Sequence, residues 1–196
     1  MIPKSDLIDV PERRAVAVSD FEIRKSGDLL SLRGYASVFD APYDIYGGPE
    51  KGGWTEIVDK RAFDVTLREK PDLHLLINHE GMPLARTKSG TLKLSTDSTG
   101  LLVDAPDLDR RDPDVQRLEV KMERGDMDEM SFAFRVKKQE WEDDETLRRL
   151  TEVSSTRATC RSSTSAPTRR PRSACAACCP SSTTSTTPWR LLRPGR

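Results

Sequence analysis

The sequence predicts a mainly β domain with flanking helices, an α+β fold built as a barrel or rolled sheet and followed by an irregular tail. Short segments of alternating or continuous apolar residues recur along residues 12–153, with turn residues between them. Only two segments in that range have helical spacing of apolar residues. Residues 154–196 contain no Val, Ile, Phe, Tyr or Met, so they cannot bury enough apolar surface to offset the entropy of ordering.

The domain is expected to begin with an arm at residues 1–11, followed by two strands. Residues 14–23 alternate apolar and polar side chains, and residues 29–39 are again rich in apolar ones. Residues 26–28, Ser-Gly-Asp, predict a hairpin between these strands. The next segment, residues 40–53, contains two prolines and four glycines and is therefore expected to be a long loop.

The middle of the domain predicts a short helix, a strand and a second hairpin. Residues 59–68 place two bulky apolar side chains four apart, on one face of a helix. Residues 73–78 are typical of a short apolar strand. Residues 91–94 and 101–104 flank a polar turn that ends in glycine, which predicts the hairpin.

The clearest helix covers residues 111–125. Asp112 can cap its N-terminus, with a proline next in the first helical position, and Gly125 suits the residue that ends it. Residues 130–136 then alternate strictly between large apolar and smaller or polar side chains, which predicts a strand. Residues 147–153 are the last strand candidate.

The formal charge is segregated along the chain. The totals are 32 basic and 32 acidic residues, and residues 154–196 hold 8 Arg but no Lys, Asp or Glu. The remaining 24 basic and 32 acidic residues give residues 1–153 a charge of −8 against +8 in the tail. An acidic body argues against nucleic acid as its partner, although the arginines leave a nucleic-acid-binding tail as an alternative.

Neither membranes nor metals are expected to be partners of this chain. No stretch approaches the roughly 20 apolar residues of a membrane span, and the N-terminus lacks the apolar core of a signal peptide. All four cysteines lie in the tail, where Cys175 and Cys178 form a CxxC motif. Zinc requires more ligands, and neither histidine lies in the tail, so no metal or other cofactor is expected.

The composition changes so abruptly after Val153 that we expect a shift of reading frame there. Lys, Asp, Glu and the β-branched aliphatic residues all disappear at this position, and every cysteine follows it. We predict that the gene, read one base earlier from about codon 153, encodes an apolar strand with a Val-Ser-Val-Val-like core. Resequencing tests this: a stop codon or polar low-complexity sequence in that frame would identify the tail as a true basic arm.

Two side chains in the body could form a nucleophile–base pair. His79 follows the apolar strand at residues 73–78 and is expected to be exposed at the strand exit, where loop groups can orient it. Ser131 lies within the predicted strand at residues 130–136, beside the small Ala133. Taken singly, a surface histidine and a tolerated serine are the ordinary explanations, because a hydroxyl nucleophile requires a base within hydrogen-bond reach.

The remaining parts of such a site stay open at this level. A base requires an orienting group, and the body offers many carboxylates, among them Glu80, Glu140, Asp143 and Glu152. Spacing alone does not choose among them. The turn at residues 125–127 precedes the Ser131 strand and could direct backbone N–H groups at an oxyanion.

Several blocks in residues 12–153 resemble the prohead proteases of HK97-like tailed phages. The matching segments are Leu-Arg-Gly-Tyr-Ala-Ser-Val-Phe at 32–39, Glu-Ile-Val at 56–58 with Ala-Phe-Asp at 62–64, Leu-Ile-Asn-His-Glu at 76–80, Pro-Leu-Ala-Arg-Thr at 83–87, Met-Ser-Phe-Ala-Phe at 130–134, and Arg-Leu-Thr-Glu-Val at 149–153. After the last block the family continues with an apolar strand, whereas this chain continues with Ser-Ser-Thr-Arg-Ala-Thr-Cys. The resemblance therefore ends where the frame is expected to shift.

This resemblance implies an assemblin-like β-barrel with flanking helices and a serine endopeptidase. It assigns His79 as general base and Ser131 as nucleophile, with Glu152 as the candidate third member. It implies that the enzyme acts inside the procapsid, in the bacterial host cytoplasm. Its expected substrates are the scaffold region of the major capsid protein and the enzyme itself. Self-association is a further expectation. The altered C-terminus leaves an alternative, a catalytically inactive assembly or scaffold-binding protein.

Overall fold

The structure, a computed structural model, describes residues 7–17, 22–142 and 144–161. The candidate carboxylate Asp143, the CxxC motif of Cys175 and Cys178, and the tail from residue 162 lie outside the described residues. Within the described ranges, no helix is long and apolar enough to cross a membrane.

The described part of the chain is mainly β, as the sequence predicts. Its helices are α1 (Asp64–Arg68) and α2 (Pro113–Glu123), with a short 3₁₀ turn at Pro49–Lys51. Its strands are β1 (Pro11–Ala17), β2 (Glu22–Ser26), β3 (Leu29–Val38), β4 (Tyr43–Ile45), β5 (Trp54–Val58), β6 (His74–Ile77), β7 (Glu80–Arg86), β8 (Lys93–Thr96), β9 (Gly100–Asp109), β10 (Glu129–Trp141) and β11 (Leu147–Arg161).

The strands form two sheets, the larger of which is a curled half-barrel. The larger sheet has the order β1-β10-β11-β5-β4, with β6 paired to the far end of β11 and β7 paired to β6. The smaller sheet has the order β2-β3-β9-β8. Apolar side chains from both sheets and from both helices form one buried cluster, so the rolled-sheet prediction with flanking helices is confirmed.

The local predictions hold where turn and cap residues determine the geometry. The β2–β3 hairpin turns at Gly27, which has a left-handed φ of 58°, and β8 and β9 form the second hairpin. The carboxylate of Asp112 accepts a 2.8 Å hydrogen bond from the backbone N–H of Asp114 and so caps α2. Val115 and Leu118 then lie buried on the inner face of α2.

Two predicted segments are divided differently in the structure. The alternating residues 14–23 belong to two strands in different sheets, because β1 pairs with β10 whereas β2 pairs with β3. The loop predicted at residues 40–53 contains the short strand β4 and the 3₁₀ turn, and β4 pairs with β5. The partner of β1 is distant in sequence, so local turn residues do not reveal that pairing, whereas β4 pairs with the next strand across a segment rich in glycine.

The last strand continues past the expected start of the irregular tail. β11 extends to Arg161, and residues 158–160 lie between β10 and β6, pairing with both. The expectation of an irregular tail from Ser154 is therefore wrong for residues 154–161. Backbone hydrogen bonds to β10, and at residues 158–160 also to β6, satisfy the backbone of this segment independently of its side chains.

A buried charged network connects β1, β5 and β11 in the large sheet. Glu56 and Arg148 are both fully buried, and their carboxylate and guanidinium approach to 2.9 Å. Arg148 also donates to Glu12 at 2.9 and 3.0 Å, and Arg14 donates to Glu56 at 2.5 and 2.9 Å. Two carboxylates and two guanidinium groups make the network neutral, which is the condition under which buried charges are tolerated.

Candidate active site

Ser131 lies in β10, where that strand is covered on both edges. In the backbone register, Ser131 is opposite Ala15 of β1 and Thr159 of β11. The side chain of Ser131 is fully buried, and so are its neighbours Met130 and Phe132 on the other face of the strand. The hydroxyl is therefore held by a central strand, an element that positions a side chain more rigidly than a loop does.

His79 lies in the tight turn that joins β6 to β7. Ile77 pairs with Glu80, which leaves Asn78 and His79 as a two-residue loop. Both loop residues have left-handed backbone, with φ of 51° and 63°, as in a type I′ hairpin turn. Left-handed backbone costs a non-glycine residue about 1–2 kcal/mol. The second loop position usually holds glycine, so a histidine in this position carries backbone strain of the kind found at functional sites.

The turn directs the imidazole of His79 onto Ser131. Nε2 of His79 lies 2.7 Å from Oγ of Ser131, although the residues are 52 positions apart in the sequence. The sheet brings them together, because Thr159 pairs with both Ser131 and Leu76, three residues before His79. When the imidazole is neutral and Nε2 carries no proton, this nitrogen can accept the hydroxyl proton of Ser131.

The pair is buried, which the sequence did not predict. His79 was expected to be exposed, but only 7% of its surface is accessible. The expectation was wrong because a strand exit is usually exposed, whereas here the left-handed turn folds the side chain back onto the sheet. Charge that develops on the pair is therefore screened weakly by water, which strengthens electrostatic interactions within it.

Glu152, the third candidate from the resemblance, is not brought to the pair. The register places it opposite Lys138, with which it forms an ion pair. Lys138 is seven residues from Ser131 along β10, which corresponds to roughly 23 Å at the rise of an extended strand. Among the other carboxylates, Glu140 is nine residues from Ser131 on the same strand, whereas Glu80 directly follows His79 and is exposed.

The turn before β10 ends a helix and does not present its N–H groups to an oxyanion. The N–H groups of Asp126 and Met127 donate to the carbonyl of Lys121 at 2.8 and 3.3 Å, and that of Gly125 donates to Met122 at 3.0 Å. Gly125 has a φ of 72°, as expected for the residue that terminates α2. The suggested role of this turn is therefore wrong, because its donors satisfy the last carbonyls of the helix.

A cavity of about 580 Å³ adjoins the turn that carries His79. Asn78 and Glu80, the chain neighbours of His79, both line it, and its other lining residues include part of α2 with Asp126 and Met127. Sequence reasoning missed this cavity because its walls come from segments more than 30 residues apart. Met82 lines it from the hairpin and is 78% exposed, which only the structure reveals.

The comparisons with known proteins identify a family that covers most of the chain. Residues 19–157 match the family model described as caudovirus prohead serine protease. The match includes both His79 and Ser131 and covers well over half of the chain. No curated protein and no solved structure matches the chain significantly. On this match, the chain belongs to the family of caudovirus prohead serine proteases.

Proposed function

We propose that this chain is the serine endopeptidase of capsid maturation in a tailed phage, with Ser131 as nucleophile and His79 as general base. The observation that carries the proposal is the 2.7 Å contact between Nε2 of His79 and Oγ of Ser131 in a member of this family. Its substrates are the scaffold region of the major capsid protein and the protease itself. It acts inside the procapsid, in the cytoplasm of the bacterial host.

The proposed reaction uses the pair in two steps. His79 accepts the proton of Ser131 as Oγ attacks the carbonyl carbon of the scissile peptide bond, and the protonated imidazole then gives that proton to the leaving amine. Water then hydrolyses the acyl-enzyme: His79 accepts a proton from the attacking water and returns it to Oγ of Ser131 as the bond between Oγ and the acyl carbon breaks. The short contact before substrate binding removes part of the cost of orienting the two groups.

Access to the pair requires movement of the residues that cover it. Ser131 has no accessible surface, and His79 has only 7%. Asn78 and Glu80, which flank His79 in the sequence, are both exposed. A substrate peptide therefore reaches the hydroxyl only after neighbouring segments shift, as lids and loops do in many enzymes. Confinement with the capsid protein would favour this encounter by raising the local substrate concentration.

Coexpression with the major capsid protein tests the proposed activity. We expect discrete fragments of the capsid protein, and of the protease itself, with termini that mass spectrometry assigns to defined sites. Expression of the capsid protein alone is the control. Intact capsid protein that copurifies with the intact chain would contradict the proposal and would support an inactive assembly or scaffold-binding protein. If the capsid protein is neither cleaved nor copurified with the chain, both functions are contradicted.

A further inference from the structure

We propose that the cavity between the β6–β7 hairpin and α2 binds the substrate side chain next to the scissile bond, and that it selects an aliphatic one. This inference rests on the proposed function and names the specificity of the same site. Asn78 and Glu80 line the cavity, and each is one residue from His79. Consecutive Cα atoms are about 3.8 Å apart, so the cavity begins within one residue of the base.

Four of the residues that line the cavity are apolar. Ile77 and Met82 line it from the hairpin, and Leu118 and Met127 line it from the side of α2. Leu118 is fully buried and Met127 is 7% exposed, so both belong to the packed core and form a part of the wall that is held in place. A volume of about 580 Å³ lies in the range of ordinary ligand sites, most of which have apolar walls.

The charges around the cavity largely compensate one another. A nitrogen of Arg117 lies 3.1 Å from a carboxylate oxygen of Asp114, and Nζ of Lys121 lies 3.5 Å from Asp126. The remaining charged lining residue, Glu80, is exposed and therefore surrounded by water, which weakens its interactions. The rim thus presents little net charge to a substrate, and the apolar walls are left to discriminate between side chains.

Met82 provides the exposed apolar surface that such a substrate would cover. It lies in β7, which pairs only with β6 among the described strands, and it is 78% exposed at the edge of the cavity. An extended peptide lying along this edge would place a side chain against Met82 and cover it. Methionine is well suited to this role because its flexible thioether adapts to differently shaped aliphatic groups.

The test uses the full chain with capsid protein in which the residues flanking the mapped cleavage site are varied. Substrates with Leu, Lys or Asp at each flanking position are cleaved by the wild type and by Met82→Glu. At one of the two positions we expect Leu to be preferred, and Met82→Glu to lower kcat/KM for that substrate about tenfold, mainly through KM. Val120→Glu is the matched control, because Val120 is also an exposed apolar residue, at 51%, but does not line the cavity.

The outcomes separate the cavity from the reaction itself. Any of three results would overturn the role of the cavity. These are an equal loss of kcat/KM in Met82→Glu and Val120→Glu, an unchanged side-chain preference in Met82→Glu, and a wild-type preference for Lys or Asp. If cleavage is nevertheless abolished by Ser131→Ala, the proposed function stands. Cleavage that persists in Ser131→Ala, or no cleavage of any substrate, would reject the function and the cavity together.

Discussion

Replacement of Ser131 by alanine should reduce cleavage of the capsid protein by roughly a thousandfold or more, as loss of a catalytic nucleophile does in other serine proteases. The change removes one oxygen from a fully buried position and adds no bulk. It leaves Nε2 of His79 without its 2.7 Å contact to Oγ, which should cost about 1–3 kcal/mol of stability. The variant should therefore remain folded while losing activity.

A covalent probe gives an independent measurement of the same prediction. A fluorophosphonate is attacked by an activated serine oxygen at phosphorus, and fluoride leaves, so the protein gains a mass that peptide mapping can locate. We expect labelling of the wild type at Ser131 and none in Ser131→Ala. Labelling at another serine, or normal cleavage by the alanine variant, would show that Ser131 is not the nucleophile.

The two histidines provide a matched comparison for the base. His79→Gln keeps much of the side-chain volume at a site that is 7% exposed, and we expect it to lose most turnover and probe labelling. His74→Gln should be mild, because His74 lies at the start of β6 opposite Arg86, away from the turn. Circular dichroism would verify that both variants fold. An essential His74 with a dispensable His79 would overturn the assignment.

The largest effect on stability is expected from breaking the buried charged network. Glu56→Gln should destabilise the protein by roughly 3–5 kcal/mol, because it leaves Arg148 and Arg14 with one carboxylate fewer in a buried environment. The guanidinium of Arg148 also lies 5.7 and 6.0 Å from the ring centroids of Trp141 and Trp54. These rings hold it in place and exclude water.

Urea unfolding measures the free energy of unfolding of Glu56→Gln, with Arg111→Ala as the control for an exposed ion pair. The Arg111–Asp109 ion pair is exposed, so its loss should change the free energy of unfolding by less than about 1 kcal/mol. If Glu56→Gln also changed the free energy of unfolding by less than about 1 kcal/mol, the buried network would contribute little to stability.

The pH dependence of stability should identify Glu56 as one source of acid sensitivity. Burial by itself raises the pKa of Glu56, but hydrogen bonds from Arg14 and Tyr43 and the charges of Arg14 and Arg148 outweigh it, so the pKa is lowered. A carboxyl group whose pKa is lowered on folding stabilises the protein above the unfolded pKa, about 4.3 for Glu. This contribution is lost as the pH falls through the lower, folded pKa. The stability of Glu56→Gln should therefore lack this part of the pH dependence.

The elements that the sequence predicted well are those that short-range chemistry determines. α2 begins at the cap of Asp112 and ends before Gly125, and the β2–β3 turn forms at Gly27. The buried network also has a local signature in the sequence: Trp54, Glu56 and Val58 have the same parity in β5, and all three are buried. A glutamate between two inward-facing apolar residues indicates a buried charge that requires partners.

By itself, the sequence determined the mainly β fold, the limits of its capped helix and hairpins, and, through its resemblance to a family, the choice of His79 and Ser131. Only the tertiary structure decided that these residues meet at 2.7 Å, that both are buried, and that Glu152 lies along the sheet from them. Caps and turns act over a few residues and are visible locally. The distance between Ser131 and His79 depends instead on the register of β10, β11 and β6, in which a shift of one residue would turn the serine to the other face.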